Sequence, residues 1–100
     1  MELTVRLKEI YSHLNGDGLA DVGCDHGKLC VWAKLNGYNR VVATDISEAS
    51  LNKAVELAKT YKVEIEAVCT DGLSGVDLTG IDNVVIAGMG GLEIINILSC

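Results

Sequence analysis

One hundred residues with 49% hydrophobic side chains are enough to build a single domain with a real core, and no apolar run approaches the ~18 residues a membrane span needs. A net charge of −6 and a pI near 4.7 argue against a broad basic face for nucleic acid, since phosphate contacts require clustered Lys and Arg. The four cysteines, Cys24, Cys30, Cys69 and Cys100, form no C-x-x-C pair and have no His at zinc-ligand spacing, so no metal site or redox motif is expected. They read as reduced thiols of a cytoplasmic protein. Cys30 and Cys69 fall in apolar runs as small hydrophobes, whereas Cys24 is set apart by its place in a glycine turn. The N-terminus lacks the charged stretch, apolar segment and small-residue cleavage site of an export signal.

In chain order, Leu3, Leu7, Ile10, Tyr11 and Leu14 recur at helical spacing between Glu2, Arg6, Lys8 and Glu9, predicting an amphipathic helix over residues 3–14. Asn15-Gly16-Asp17-Gly18 ends it with turn chemistry. Leu19-Ala20-Asp21-Val22 predicts a first strand, followed by a glycine turn and a helix from His26 or Gly27 to about Asn36, closed by Gly37. Val41-Val42-Ala43-Thr44 is a second strand ending at Asp45, and Ser47 with Glu48 caps a helix carrying Leu51, Ala54, Leu57, Ala58 and Tyr61. A third strand over 65–69 ends at Thr70-Asp71-Gly72. A fourth over 83–87 ends at Gly88-Met89-Gly90-Gly91, and a last helix is predicted from about Leu92.

Strands alternating with helical segments imply an α/β fold: a parallel sheet of about four strands, joined by right-handed crossovers, with helices on both faces. No linker, low-complexity run or proline divides residues 1–100, which form one unit. The last predicted helix is cut at Cys100, half of an ordinary doubly wound sheet, so the chain is expected to be the N-terminal part of a longer domain. The fourth strand would then be an exposed apolar edge, and a homodimer paired through it is expected.

In open α/β sheets, ligands bind beyond the carboxyl ends of the strands, where every loop of interest converges here. Gly23 lets the chain turn out of the first strand, and Gly27 would allow close approach of backbone to a ligand. Asp21 can accept hydrogen bonds from loop amides or from the ammonium of an amino-acid cofactor. Asp45 follows Gly23 by 22 positions, close to the ~20 at which an acidic residue grips a ribose diol, although it could merely start the turn before Ser47. A nicotinamide dinucleotide needs G-x-G-x-x-G, and those positions hold Gly23, Asp25 and Lys28. Asp25 would repel a diphosphate but suits a sulfonium, so S-adenosylmethionine is the favoured cofactor and a nicotinamide-dependent oxidoreductase the disfavoured one. Asp71 can meet an adenine amine or be half of a plain Asp-Gly turn with Gly72. His26 can contact a ligand or begin the helix. Gly88, Met89, Gly90 and Gly91 are the candidate substrate site, because three glycines around a methionine must serve tight packing or close approach.

Leu-Ala-Asp-Val-Gly-Cys-Asp-His-Gly-Lys-Leu at 19–29, Thr-Asp-Ile-Ser at 44–47, Asp-Gly-Leu at 71–73 and Val-Ile-Ala-Gly-Met-Gly-Gly at 85–91 resemble, in order, the bacterial tRNA (adenine-22-N1)-methyltransferase family. The resemblance implies a Rossmann-like class I methyltransferase fold, continued in that family by further strands and a C-terminal helical region that contributes to tRNA binding. It implies cofactor residues at Asp21, Gly23, Asp25, His26, Asp45 and Asp71, with methyl transfer near Gly88 to Gly91, and the neighbouring Cys24, Gly27, Ile46 and Gly72 complete the candidate cofactor site. Gly27 stands where a larger residue is usual, and Cys24 where a serine is. Adenine N1 already carries a lone pair, so the implied reaction needs alignment and no obligatory base. A module that binds the cofactor without activity is the alternative.

Overall fold

The computed structural model describes residues 1–88 and 91–96. The elements are α1 (Val5–Ser12), β1 (Gly18–Val22), a 3-10 turn (Asp25–Gly27), α2 (Lys28–Leu35), β2 (Arg40–Asp45), α3 (Glu48–Thr60), β3 (Glu66–Cys69), β4 (Asn83–Gly88) and β5 (Gly91–Asn96). The sheet order is β3-β2-β1-β4-β5. The first four of these strands are parallel to one another, as expected, and β5 runs antiparallel to β4.

Helix starts follow their caps. Thr4 Oγ1 accepts from the Leu7 N–H at 3.2 Å, so α1 begins two residues later than its apolar pattern does. Ser47 Oγ accepts from the Ser50 N–H at 3.2 Å and starts α3 as predicted. The α3 residues Leu51, Ala54 and Ala58 turn one buried stripe toward the sheet.

The strands alternate between two cores. Leu19, Val41, Ala43 and Val85 pack with Ile10 of α1, Leu29, Cys30 and Ala33 of α2, and Leu51 and Ala54 of α3. Ala20, Val42 and Val84 face the other way, against Ile81, with Leu73 and Val76 partly buried beside them. All three helices therefore lie on one face, contrary to the expected two-sided arrangement. The physical reason lies between β3 and β4, where Gly72, Gly75 and Gly80 take φ of +64°, +75° and +77° and turn the chain repeatedly instead of letting it coil. The second face is covered by that loop.

The helix predicted from Leu92 is instead strand β5, with Val85 opposite Ile94 and Gly88 opposite Gly91. Six residues cannot separate the two periodicities, no capping Ser, Thr, Asp or Asn directly precedes Leu92, and Ile94-Ile95 is a β-branched pair that suits a strand. With Met89 and Gly90 alone between the strands, the connection is too short for a parallel crossover. Strand β4 is thereby paired on both sides, by β1 and β5, so the exposed fourth-strand edge on which dimerisation was expected does not exist. Cys69 is likewise not buried: β3 is an edge strand and Cys69 is exposed.

The ends of the strands opposite the glycine turn are pinned by side chains. Asn83, fully buried, donates from Nδ2 to the Asn15 carbonyl at 2.5 Å and the Gly18 carbonyl at 3.0 Å, and accepts at Oδ1 from the Asn15 N–H at 2.9 Å. Asp82 Oδ2 accepts from the Asp17 and Gly18 amides at 2.9 and 3.0 Å. Arg40 forms a two-pronged pair with Glu66 at 2.7 and 3.0 Å and also donates to the Asp77 and Thr79 carbonyls. Replacing Asn83 with Ala removes the side-chain partner of the Asn15 amide and carbonyl and of the buried Gly18 carbonyl, and is expected to lower unfolding free energy by about 1–3 kcal/mol in urea titrations. A change under about 0.5 kcal/mol would show that water replaces these bonds at no loss.

Candidate functional site

The glycine turn is folded by its neighbour strand. Gly23, at φ +74°, and Cys24 both donate their N–H groups to the Thr44 carbonyl, at 2.8 and 3.1 Å. Thr44, itself fully buried, donates from Oγ1 to the Gly72 carbonyl at 3.0 Å. One residue of β2 thus ties the turn after β1 to the turn after β3. Beyond Cys24, three successive residues take positive φ: Asp25 at +41°, His26 at +62° and Gly27 at +78°. For Asp25 and His26 that geometry is strained, and such strain persists only where surrounding contacts hold it.

Gly27 has a different task from the one its position suggested. A Cβ there would lie 2.5 Å from Ala54 Cβ and 2.8 Å from its Cα, so the missing side chain lets the turn press against α3. Gly27 is buried against protein and serves packing, where a ligand approach was expected.

A cavity of about 480 Å³ opens at this turn, lined by Asp21, Gly23, Cys24, Asp25, His26, Lys28 and Leu29, by Thr4, Arg6, Leu7 and Ile10 of the α1 region, and by Val85. Five of the residues singled out in the sequence are therefore brought to one wall. Asp45, Ile46, Asp71 and Gly72 sit at the ends of the next two strands, outside that lining. Asp45 Oδ1 accepts from the Ser47 N–H at 2.9 Å, and its carbonyl accepts from the Thr70 N–H at 3.1 Å. Ile46 is 75% exposed, a large apolar side chain left in solvent beside a polar strand end. Asp71 is exposed. Gly88 ends β4, while Met89 and Gly90 lie outside the described residues.

The electrostatics centre on Asp21, only 4% exposed. Burial pushes its carboxyl up to about 7, the Cys30 thiol donating to Oδ2 at 3.5 Å opposes that rise, and the charges of Asp25 and Asp45 add to it. Cys24 is pushed up to about 12, by burial first and then by Asp21 and Asp45, so it is an inert thiol rather than a nucleophile. Cys30 is also held well above the ordinary thiol range, by burial first and then by Asp21. A buried acid among acids is a site that asks for a cation.

Sequence reasoning missed the wall contributed by α1. Arg6 read as part of the helix's polar face, and periodicity cannot reveal that this face overhangs a turn fifteen residues further on. It also missed Thr44, whose fully polar hydrogen bonding is hidden in a β-branched strand residue.

Two outcomes follow from this geometry. Asp21, ordinarily near 3.8, keeps a proton in the folded chain up to about 7, so its own contribution to stability is greatest below pH 4, falls as pH rises through 7 and then levels. Urea midpoints of Asp21→Asn should lose most of that decline between pH 5 and 8; an unaltered decline would place it elsewhere. Gly27→Ala should cost about 2–4 kcal/mol in the same titrations, from the positive φ and the clash with Ala54. A neutral result would mean the turn can lift from α3.

Comparison with known proteins bears on what such a site holds. The family described as a methyltransferase domain matches residues 3–100. The solved m1A22 tRNA methyltransferase TrmK of B. subtilis is 29% identical, with a TM-score of 0.78 over 89% of this chain and 40% of its own. M. capricolum TrmK, solved with its cofactor product S-adenosyl-homocysteine, is 27% identical, with a TM-score of 0.76 over 86% of this chain and 41% of its own. The ribosomal protein L11 methyltransferase of Thermotoga maritima is 38% identical over 64 residues, which is 64% of this chain and 24% of that protein. The chain spans about two-fifths of the length of the first two and a quarter of the third. With a mostly parallel sheet, a glycine turn after β1 and an acidic residue at the end of β2, the chain belongs to the methyltransferase-domain family, whose cofactor is S-adenosylmethionine.

Proposed function

We propose that this chain is the cofactor-binding, N-terminal part of a cytoplasmic S-adenosylmethionine-dependent methyltransferase that acts on N1 of an adenine in tRNA. The observation that carries the cofactor is Asp21, a buried carboxyl held near neutrality beside a cavity that Asp25 also lines. Such a site disfavours a diphosphate and rewards a ligand bearing positive charge. The residues present fit the cofactor. Asp21 offers its carboxyl to a cationic centre, and Asp45, with Oδ1 engaged by the Ser47 amide, keeps Oδ2 for a ribose hydroxyl. Ile46 supplies exposed apolar surface for the adenine ring, and Asp71 with Gly72 closes the far end of the strand-end row. When bound, S-adenosylmethionine supplies an electrophilic methyl group.

For the acceptor, the chain's own task is orientation and exclusion of water. Adenine N1 brings its lone pair, so no side chain need take a proton before methyl transfer, and alignment supplies most of the acceleration. The sequence Gly88-Met89-Gly90-Gly91, of which Gly88 ends β4 and Gly91 begins β5, is what we assign to the acceptor. Choice of tRNA is supported by the two TrmK structures, which align over most of this chain, and by the Asp-His of the glycine turn. The L11 relative supports a protein acceptor instead, over a shorter stretch.

In calorimetry the chain should bind S-adenosylhomocysteine, and Asp45→Ala should weaken that binding about tenfold or more. An unchanged affinity would remove Asp45 from the ribose. Incubated with labelled S-adenosylmethionine, the longer protein of which we propose this chain to be the N-terminal part is expected to methylate tRNA, with the label recovered as N1-methyladenine, and to leave ribosomal protein L11 unlabelled. Label in L11 would reverse the choice of acceptor, and cofactor binding without transfer to either would leave a binding module.

A further inference from the structure

We infer that a second cavity, between α1 and β5, takes a guanine nucleotide next to the adenine that is methylated, with Glu9 reading the base and Arg6 and His13 holding the phosphate. The inference rests on the RNA reading and adds to it a residue that selects sequence. The cavity measures about 320 Å³ and is lined by Arg6, Glu9 and Ile10 of α1, His13 at its C-terminal cap and Ile94 of β5. It adjoins the cavity at the glycine turn: Asp21, Val85 and Ile94 stand side by side on β1, β4 and β5, and Arg6 and Ile10 line both cavities. Gly91, the last residue of the stretch assigned to the acceptor, begins β5 three residues before Ile94, about 10 Å along the strand.

Adenine N1 is engaged in pairing inside a duplex, so an acceptor adenine has to be unpaired, and the nucleotides beside it then present their base edges for recognition. The second cavity offers what one such nucleotide needs. Ile10 is buried and Ile94 partly buried, an apolar floor for the flat face of a base. Arg6, Glu9 and His13 recur at i, i+3 and i+7, on one face of α1, and their side chains form no hydrogen bond or ion pair among the described residues. The free Glu9 carboxylate can accept two parallel hydrogen bonds, and guanine is the base that presents two adjacent donors on one edge, N1–H and the 2-amino group. Arg6 and His13 bring N–H donors suited to phosphate oxygens. A single nucleotide asks only for such local donors, and not for the broad basic face that a net charge of −6 argues against.

The test uses the longer protein, loaded with S-adenosylhomocysteine, and two RNA hairpins whose loops carry one adenine flanked by guanines or by inosines, which lack the 2-amino group. In fluorescence anisotropy the guanine hairpin should bind about tenfold more tightly, and Glu9→Ala should bring the two within about twofold of each other. His13→Ala should weaken both hairpins alike, by about three- to tenfold. Glu9 and His13 are exposed, so both variants should keep the parental thermal midpoint and the parental affinity for S-adenosylhomocysteine. Equal affinity of the parent for the two hairpins, a guanine preference that survives Glu9→Ala, or lost cofactor affinity in either variant would each overturn the inference while the RNA reading stands. A parent that binds neither hairpin would overturn both.

Discussion

A carboxyl buried at the end of a β-strand is the constraint from which the rest of this site follows. Asp21 lies where a charge is poorly solvated, with Asp25 and Asp45 close enough to raise its proton affinity further. The fold tolerates it by giving one oxygen a thiol donor on α2 and by leaving the acid able to hold a proton near neutral pH. Binding sites draw on such arrangements because a ligand that brings the missing charge gains what the empty fold lacks. The acidity of the whole chain, which speaks against a nucleic-acid grip on this surface, is at this one turn the means of recognising a cation.

The turn that carries these groups is held from three sides, and each hold has a distinct physical origin. Backbone amides of Gly23 and Cys24 are satisfied by the Thr44 carbonyl, Thr44 reaches on to Gly72, and Gly27 gives up a side chain so that Ala54 of α3 can press close. Positive φ at Asp25 and His26 is sustained by that frame. At the opposite ends of the strands Asn83, Asp82 and Arg40 satisfy loop carbonyls and amides, so the sheet is fixed at one end for stability and shaped at the other for binding. One face carries all three helices and the other carries a loop, an imbalance that follows from the glycines between β3 and β4.

Much of this was legible before any coordinates. The four parallel strands, the α3 cap at Ser47 and the convergence of Asp21, Gly23, Cys24, Asp25 and His26 on one wall follow from apolar runs, capping chemistry and the position of glycines, all of which act over a few residues. What escaped are effects of packing between distant segments. Gly27 read as a ligand contact because spacing cannot show Ala54 behind it. Arg6 read as a solvated helix face because its cavity is formed with a loop from elsewhere in the chain. The stretch from Leu92 read as the start of a helix because a few positions with two isoleucines satisfy either period, and pairing with β4 decides between them. Cys69 read as buried because an apolar run does not tell an edge strand from a central one.

The central claim is that Asp21 meets the positive charge of the cofactor, and proton linkage measures that contact directly. Below its folded-state value of about 7, Asp21 is largely protonated, and an adjoining cation must drive that proton off. Titrating S-adenosylmethionine into the chain at pH 6.5, in two buffers of different ionisation enthalpy, reads the protons exchanged on binding. The account predicts release of on the order of half a proton per bound cofactor, abolished in Asp21→Asn. Binding with no proton release, or the same release in Asp21→Asn, would contradict it.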